Sequence, residues 1–238
     1  WLIGVRGTQD ANVLAYMDAL EKDNNTDKFT MTQSFNVNLM KGLDLKFSGS
    51  WYYQDTKYES FTRDYLKGVN SWYTTRASSD EYDRTLNQTY NIVATYNTAI
   101  KKHSVNAMAG FEYYISQSKG FYAYGYNAPT DDFQDLNLTQ NEGRSIDSWH
   151  NENRIMSFFG KVDYDYDGKY LLSAVLRRDG YSRLHSDNRW GFFPGVSAGW
   201  ILSKEDWFEK YSDVMSFAKL RASYGSNGNV DTKYIGNY

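Results

Sequence analysis

The sequence predicts an all-β protein, an antiparallel transmembrane β-barrel segment, and three observations predict it. Apolar and polar residues alternate with a period of two over long stretches, tight turns alternate with long polar connections, and Tyr and Trp gather near the expected strand ends. Alternation gives a strand one apolar face. Strands that cross an outer membrane as a barrel run about 10 residues or more, with short periplasmic turns and long outer loops.

From Phe29 to Leu39 the odd positions read Phe, Met, Gln, Phe, Val, Leu and the even ones Thr, Thr, Ser, Asn, Asn. Lys41-Gly42 turns the chain, and Leu43, Leu45, Phe47, Gly49, Trp51 and Tyr53 repeat the pattern, which makes a hairpin. A second pair carries Leu86, Tyr90, Ile92, Ala94 and Tyr96, then Val105, Ala107, Ala109, Phe111, Tyr113 and Ile115, with a turn near 99. The third runs from Ile155 to Tyr166 and from Tyr170 to Leu176, joined at Asp167-Gly168, a favoured two-residue hairpin turn. The fourth sets Val196, Ala198 and Trp200 against Leu220, Ala222 and Tyr224. Its connection, Ser203 to Ser216, is expected to hold a short helix capped by Ser203 with Glu205 and Asp206 in the first turn. The expected strands are therefore 29–40, 43–56, 84–97, 103–116, 155–166, 169–177, 192–202 and 217–225, with long polar connections at 57–80, 117–152 and 178–190. Val105, Ala107, Phe111, Tyr170, Leu172, Ala198 and Leu220 are expected to face lipid.

Composition removes several alternatives. Net charge is -3 without a block of like charge, so the footprint of a nucleic-acid binder is missing. With no Cys there is no disulfide framework and no thiolate zinc site. The longest clean apolar run, Tyr170 to Leu176, is closed by Lys169 and Arg177 and is far too short to cross a bilayer as a helix. A soluble β-sandwich also alternates. Its strands run only about 5–6 residues, and here the non-apolar faces are rich in Asn, Thr and Ser rather than charge. Trp1 to Gly7 reads as the middle of a strand, and the chain as a portion of a longer protein.

The segment Arg177-Arg178-Asp179-Gly180-Tyr181-Ser182-Arg183, followed by Asp187-Asn188-Arg189-Trp190-Gly191-Phe192-Phe193-Pro194 and Ser197-Ala198-Gly199-Trp200, resembles a signature of the SusC/RagA family of TonB-linked outer-membrane transporters. Lys219-Leu220-Arg221-Ala222-Ser223-Tyr224-Gly225 with Asn227-Gly228-Asn229 is similar to the family's next block. Ser157 to Val162 and Lys169 to Leu172 also resemble it, while residues 1–150 fit by strand rhythm alone. Tyr181 stands where a second small residue is usual, and Leu184-His185 replaces a commoner Phe-Gly pair.

The resemblance implies that residues 1–238 are a portion of a barrel of about 22 strands around a plugged lumen, with the plug and TonB box upstream. It implies the outer membrane of a Bacteroidota-type bacterium and active import of an oligosaccharide or peptide. The implied partners are TonB-ExbB-ExbD and a SusD-like surface lipoprotein. The motif residues Arg177, Arg178, Asp179, Gly180, Arg183, Asn188, Arg189, Trp190, Pro194 and Trp200 read as structural. Arg177 and Arg178 are expected to end a strand and Asp179-Gly180 to open a turn, so that the charges pair with loop carboxylates or reach lipopolysaccharide. Pro194 suggests a strand start or bulge.

Other chemistry is sparse. Asp163, Asp165, Asp167 and Gly168 match the opening of an EF-hand loop, but its twelfth position is Ala174, where a bidentate Glu is required. Asp131, Asp132 and Asp135 are the alternative for Ca²⁺, in a loop; otherwise neither a cofactor nor a metal is expected. His103, His150 and His185 are turn or loop histidines, and Ser148 and Asp147 near His150 form no nucleophile motif, so catalysis is not expected. The long connections carry Trp72, Tyr73, Phe121, Tyr122, Tyr124, Tyr126 and Trp149. Of these, Trp72, Tyr73, Tyr122, Tyr124, Tyr126 and Trp149 are the candidate ligand contacts, stacking on a sugar or peptide; the alternative is that they pack the loops onto each other and onto a neighbouring protein. A small passive barrel, a barrel enzyme and a soluble carbohydrate-binding β-domain are the rival readings.

Overall fold

Period-two segments pair with their neighbours in sequence, because an antiparallel partner satisfies every ladder donor and acceptor through a short turn. The computed structural model describes residues 12–228 apart from 69 and 212. The strand character expected from Trp1 to Gly7, and Asn229 of the second motif block, lie outside those residues.

A short helix, α1 (Val13–Ala19), is capped by Asn12, whose side chain accepts from the Ala15 N–H at 3.2 Å. The strands are β1 (Leu20–Met40), β2 (Leu43–Thr62), β3 (Tyr65–Gly68), β4 (Ser71–Tyr73), β5 (Ala77–Ile100), β6 (His103–Gly125), β7 (Ser145–Tyr166), β8 (Tyr170–Tyr181), β9 (Trp190–Ile201) and β10 (Lys219–Gly225). Eight form one sheet in the order β1-β2-β5-β6-β7-β8-β9-β10, and β3 and β4 form a separate ribbon. The chain divides into two compact units. One comprises residues 1–29, 52–86 and 117–151; the other comprises 30–51, 87–116 and 152–238.

Register puts apolar side chains on one face. Tyr170, Leu172, Ala174 and Leu176 stand opposite Trp200, Ala198, Val196 and Pro194, and Leu220, Ala222 and Tyr224 stand opposite Trp200, Ala198 and Val196. Ring contacts carry the same face to β7, β6, β5 and β2, through Phe111–Phe158 at 5.2 Å and Trp51–Tyr90 at 5.8 Å. All seven residues expected to face lipid belong to it, and Leu172 and Leu220 are 57% and 62% exposed. Among the described residues only Ala19, Phe61, Ala77, Ala128 and Phe208 are buried apolar side chains. A sandwich buries its apolar faces against each other; here the apolar face is open, as a lipid-covered wall requires. Among the described residues no helix is long and apolar enough to cross a membrane.

Asp167 and Gly168 both have positive φ, at 57° and 62°, and the Lys169 N–H donates to the Tyr166 carbonyl at 2.9 Å, as the Asp-Gly pair predicts. The turn expected near 99 lies at Lys101-Lys102, with Lys101 at φ 53°.

Several expectations need correction. The stretches 57–80 and 117–152 are not loop throughout: β2 continues to Thr62, β5 starts at Ala77, β6 runs to Gly125 and β7 starts at Ser145. Backbone pairing does not depend on side-chain polarity, so the ladder continues where both faces are wet and alternation has faded. Asp179-Gly180 opens no turn, since Asp179 pairs with Gly191 and Gly180 with Trp190 inside the β8–β9 ladder. Pro194 is neither a strand start nor a bulge. Its carbonyl accepts from the Ser226 N–H at 2.9 Å, so its nitrogen, which points the same way, faces the place where β10 has just ended. The missing donor thus falls at the end of the β9–β10 ladder. The helix expected after Ser203 is two 3-10 turns, Leu202–Lys204 and Asp206–Tyr211, without a side-chain cap at the first.

Candidate functional site

The face opposite the apolar one is a series of polar pairs across strands. Thr32 and Ser50 hydroxyls meet at 3.1 Å, the Asn38 amide donates to Asp44 at 2.8 Å, Asn106 bonds Asn97, and Ser173 donates to Asp163 at 2.7 Å. Each of these groups finds its partner on the next strand, which suits a polar wall.

Arg177 is the best-satisfied group on this face. Its Nε donates to both Asp179 oxygens at 2.8 and 2.9 Å, and its Nη2 donates to Ser157 Oγ at 3.0 Å and Glu112 at 3.2 Å. The guanidinium also lies 5.7 Å from the Phe159 ring centre, and Ser157 is fully buried beneath it. The planar guanidinium, with donors on separate nitrogens, serves Asp179 from Nε and Glu112 and Ser157 from Nη2, a division that a lysine's single ammonium reproduces less well. The carboxylates it holds come from β6 and β8, so the expected loop partners are replaced by strand partners. Arg178 points the other way and covers Trp190 at 4.7 Å.

Beside this cluster a cleft of about 520 Å³ is lined by Asn153, Asp179, Tyr181, Asn188, Arg189 and Phe193. It unites the motif residues Asp179, Asn188 and Arg189, and the Asn153 Oδ1 there is buried without a partner. Arg183 lies in the connection between β8 and β9, and Trp200 lies on the apolar face with its Nε1 donating to Glu205 at 3.0 Å.

The candidate aromatics fall in the other unit. Tyr73 stacks on Tyr65 at 5.1 Å, Tyr65 touches Tyr16 of α1 at 5.7 Å, and Tyr124 meets Tyr126 at 6.3 Å. Burial pushes the Tyr73 phenol up, and the neighbouring Tyr124 and Tyr65 add to it. Tyr73, Tyr124 and Tyr126 are thus brought together, with Tyr65 and Tyr16 as partners that the sequence reading did not include. Trp72 and Tyr122 are separate and exposed, and Trp149 packs against the backbone at Gly120. Most of these are not loop residues: Trp72 and Tyr73 belong to β4, Tyr122 and Tyr124 to β6, and Trp149 and His150 to β7.

The connection 126–144 is tied to itself by Arg144, which donates to the Asn137 and Thr139 carbonyls at 2.6 and 2.5 Å. Arg76 joins Asp64 at 3.0 Å to Asp131 at 2.7 Å. Asp163, Asp165 and Asp167 serve Ser173, the Gly168 N–H and Lys102 respectively, and do not converge. Among the described residues no group of three or more His, Cys, Asp or Glu is placed to hold a metal ion. A cleft of about 580 Å³ in this unit gathers Glu21, Asp23, Glu59, Asp80 and Asp135 near the buried Phe61. Its carboxylates come from three strands and a connection, so no local motif announces it.

A comparison with protein-family profiles finds no match. Among curated proteins, the chain is similar to TonB-dependent receptor P3 of Formosa agariphila, 34% identical over 153 residues, covering 63% of this chain and 15% of that protein. It is 28% identical over 237 residues to TonB-dependent receptor P39 of the same organism, covering 92% and 21%. It is 32% identical over 143 residues to TonB-dependent receptor SusC of Bacteroides thetaiotaomicron, covering 60% and 14%. Among solved structures, the RagAB peptide importer in its closed-closed state superposes with a TM-score of 0.81 at 21% identity, covering 93% of this chain and 24% of that one. The open-open state gives 0.80 at 21% identity, covering 87% and 23%. The chain therefore spans about a fifth or less of the curated relatives' length.

Proposed function

We propose that this chain, which belongs to the SusC/RagA family of TonB-dependent receptors of the outer membrane, supplies part of the barrel wall through which a large nutrient is imported. The observation that carries the reading is the two-faced sheet: an exposed apolar face toward lipid, and a polar face of satisfied cross-strand pairs toward a lumen. Among the described residues β1 and β10 are the two ends of the sheet order, which favours eight strands of a larger wall over a small closed barrel.

The imported nutrient is an oligosaccharide or a peptide, the relatives carrying the names SusC and RagAB peptide importer. Import draws on energy delivered by TonB-ExbB-ExbD, with a SusD-like lipoprotein over the outer mouth. No chemical step is performed on the substrate. Tyr73, Tyr124 and Tyr126 together, and Trp72, Tyr122 and Trp149 singly, offer ring faces to substrate or to the lipoprotein, and Asp179, Asn188 and Arg189 offer polar contacts within the wall.

The test uses the full-length transporter in an outer-membrane host. Uptake of labelled oligosaccharides and peptides is measured with TonB present and depleted, together with co-purification of a lipoprotein. TonB-dependent uptake of one class is the expected result. Uptake that persists without TonB would favour a passive barrel instead. Tyr73→Ala with Tyr124→Ala should weaken substrate binding or lipoprotein capture, and unchanged values of both would remove these aromatics from the site.

A further inference from the structure

At one end of the strands three turns are short, at 41–42, 101–102 and 167–169, but the connection from β9 to β10 spans 202–218. Short turns mark the periplasmic side of such barrels. A series of rings leads from the apolar face into this connection. His103 meets Tyr166 at 5.0 Å, Tyr166 meets Tyr170 at 6.2 Å and Tyr170 meets Trp200 at 6.3 Å, all at the turn ends of their strands. Trp200 then meets Trp207 at 6.4 Å, Trp207 meets Phe208 at 5.7 Å and Phe208 meets Tyr211 at 6.0 Å.

Glu205 pins the junction. It accepts from the Tyr170 hydroxyl at 2.8 Å, from Trp200 Nε1 at 3.0 Å and from Lys169 at 3.3 Å. These donors, Trp200 first, hold its carboxyl below the usual range, so it stays charged where it stands. Phe208 is buried, whereas Trp207 and Phe217 are 51% and 62% exposed and Val214 is 94% exposed.

We propose that residues 202–218 form an interfacial foot, lying in the headgroup layer of the periplasmic leaflet with Trp207, Val214, Met215 and Phe217 against phospholipid. The occupant follows from continuity: the ring series begins on the lipid-facing side of β6 to β9, and a plug in the lumen would meet the opposite face. Trp and Tyr favour this depth because a ring sits in the apolar boundary while its N–H or O–H reaches polar groups. The inference rests on the barrel and not on the choice of substrate.

The test places single cysteines in the full-length transporter, at Val214→Cys, Phe217→Cys and, on the Asp206 side of the second turn, Glu209→Cys. Val214 touches little of its own chain, so its replacement leaves folding intact, and heat-modifiability checks each variant. Nitroxide-labelled protein is reconstituted in vesicles of phosphatidylethanolamine and phosphatidylglycerol, then exposed to oxygen and to an aqueous nickel chelate. At 214 and 217 the ratio of oxygen to nickel collision should exceed that at 209 severalfold. Equal nickel access at all three sites would show a loop in water and overturn the foot. Shielding from both reagents at 214 and 217 would show a protein partner there and overturn it equally. The assay contains no substrate, so a failed transport reading leaves its outcome legible.

Discussion

Replacing Ala107 with Arg tests which face of the wall meets lipid. Ala107 is the fifth residue of β6, which leaves the Lys101-Lys102 turn at His103. A strand rises about 3.4 Å per residue, and barrel strands tilt about 35–45°, so four residues lift Ala107 roughly 10 Å from the turn-side rim of an apolar band about 25 Å tall. That is close to mid-bilayer. An arginine on the lipid face costs about 2–4 kcal/mol at the midplane and about 0–1 near either interface, so we expect about 2–3 kcal/mol at Ala107. The control is Asn91 on the neighbouring strand β5, whose side chain belongs to the polar face; arginine there should cost under about 0.5 kcal/mol, as at an ordinary wet surface position. The full-length protein is refolded into phospholipid vesicles across a urea series, and the folded fraction is read from heat-modifiable migration. A loss of about 2–3 kcal/mol lowers the folded-to-unfolded ratio roughly 30- to 150-fold at fixed urea. Equal losses at the two positions, or the larger loss at Asn91, would refute the assignment of faces.

Three further outcomes follow from local geometry. A Cβ at Gly110 would stand 2.4 Å from the Phe159 ring and 3.1 Å from the Ile92 carbonyl oxygen, so Gly110→Ala should cost about 1–3 kcal/mol in the same urea assay. Adding Phe159→Leu should return part of it, and strict additivity of the two changes would show that they do not meet. Arg177→Met leaves Glu112 and Asp179 without their shared cation; the side chains are about a third exposed, so water screens the pair and the expected loss is about 1–2 kcal/mol. Arg177→Lys should recover only part, because one ammonium cannot reproduce the fork, and full recovery would reduce the cluster to simple charge. At the turns, the hydrogen bond from Lys102 holds the Asp167 carboxyl below the usual range. A depressed carboxyl contributes stability above its unfolded pKa and loses it as pH falls through the folded value. The difference between the native chain and Asp167→Asn in thermal unfolding should therefore be present at neutral pH and vanish below the usual carboxylate range; a difference that persists in strong acid would exclude the ion pair as its cause.

Within the bilayer band, strand positions, faces and the Asp167-Gly168 turn were legible in the sequence, because there each strand separates lipid from water and every second side chain must declare its side. The blocks from Arg177 to Trp200 likewise identified the family from one contiguous stretch. Where both faces are wet that contrast is gone, so the outer reaches of β2, β5, β6 and β7 read as polar connections although the backbone ladder continues through them. Register was a tertiary decision as well. It alone brings Glu112 and Ser157 to Arg177 across three strands, keeps Asp179-Gly180 inside the β8–β9 ladder, and aligns Trp200 with Trp207 beyond the strand end. Such meetings depend on which residue stands opposite which, a property of paired strands that no single strand's periodicity contains.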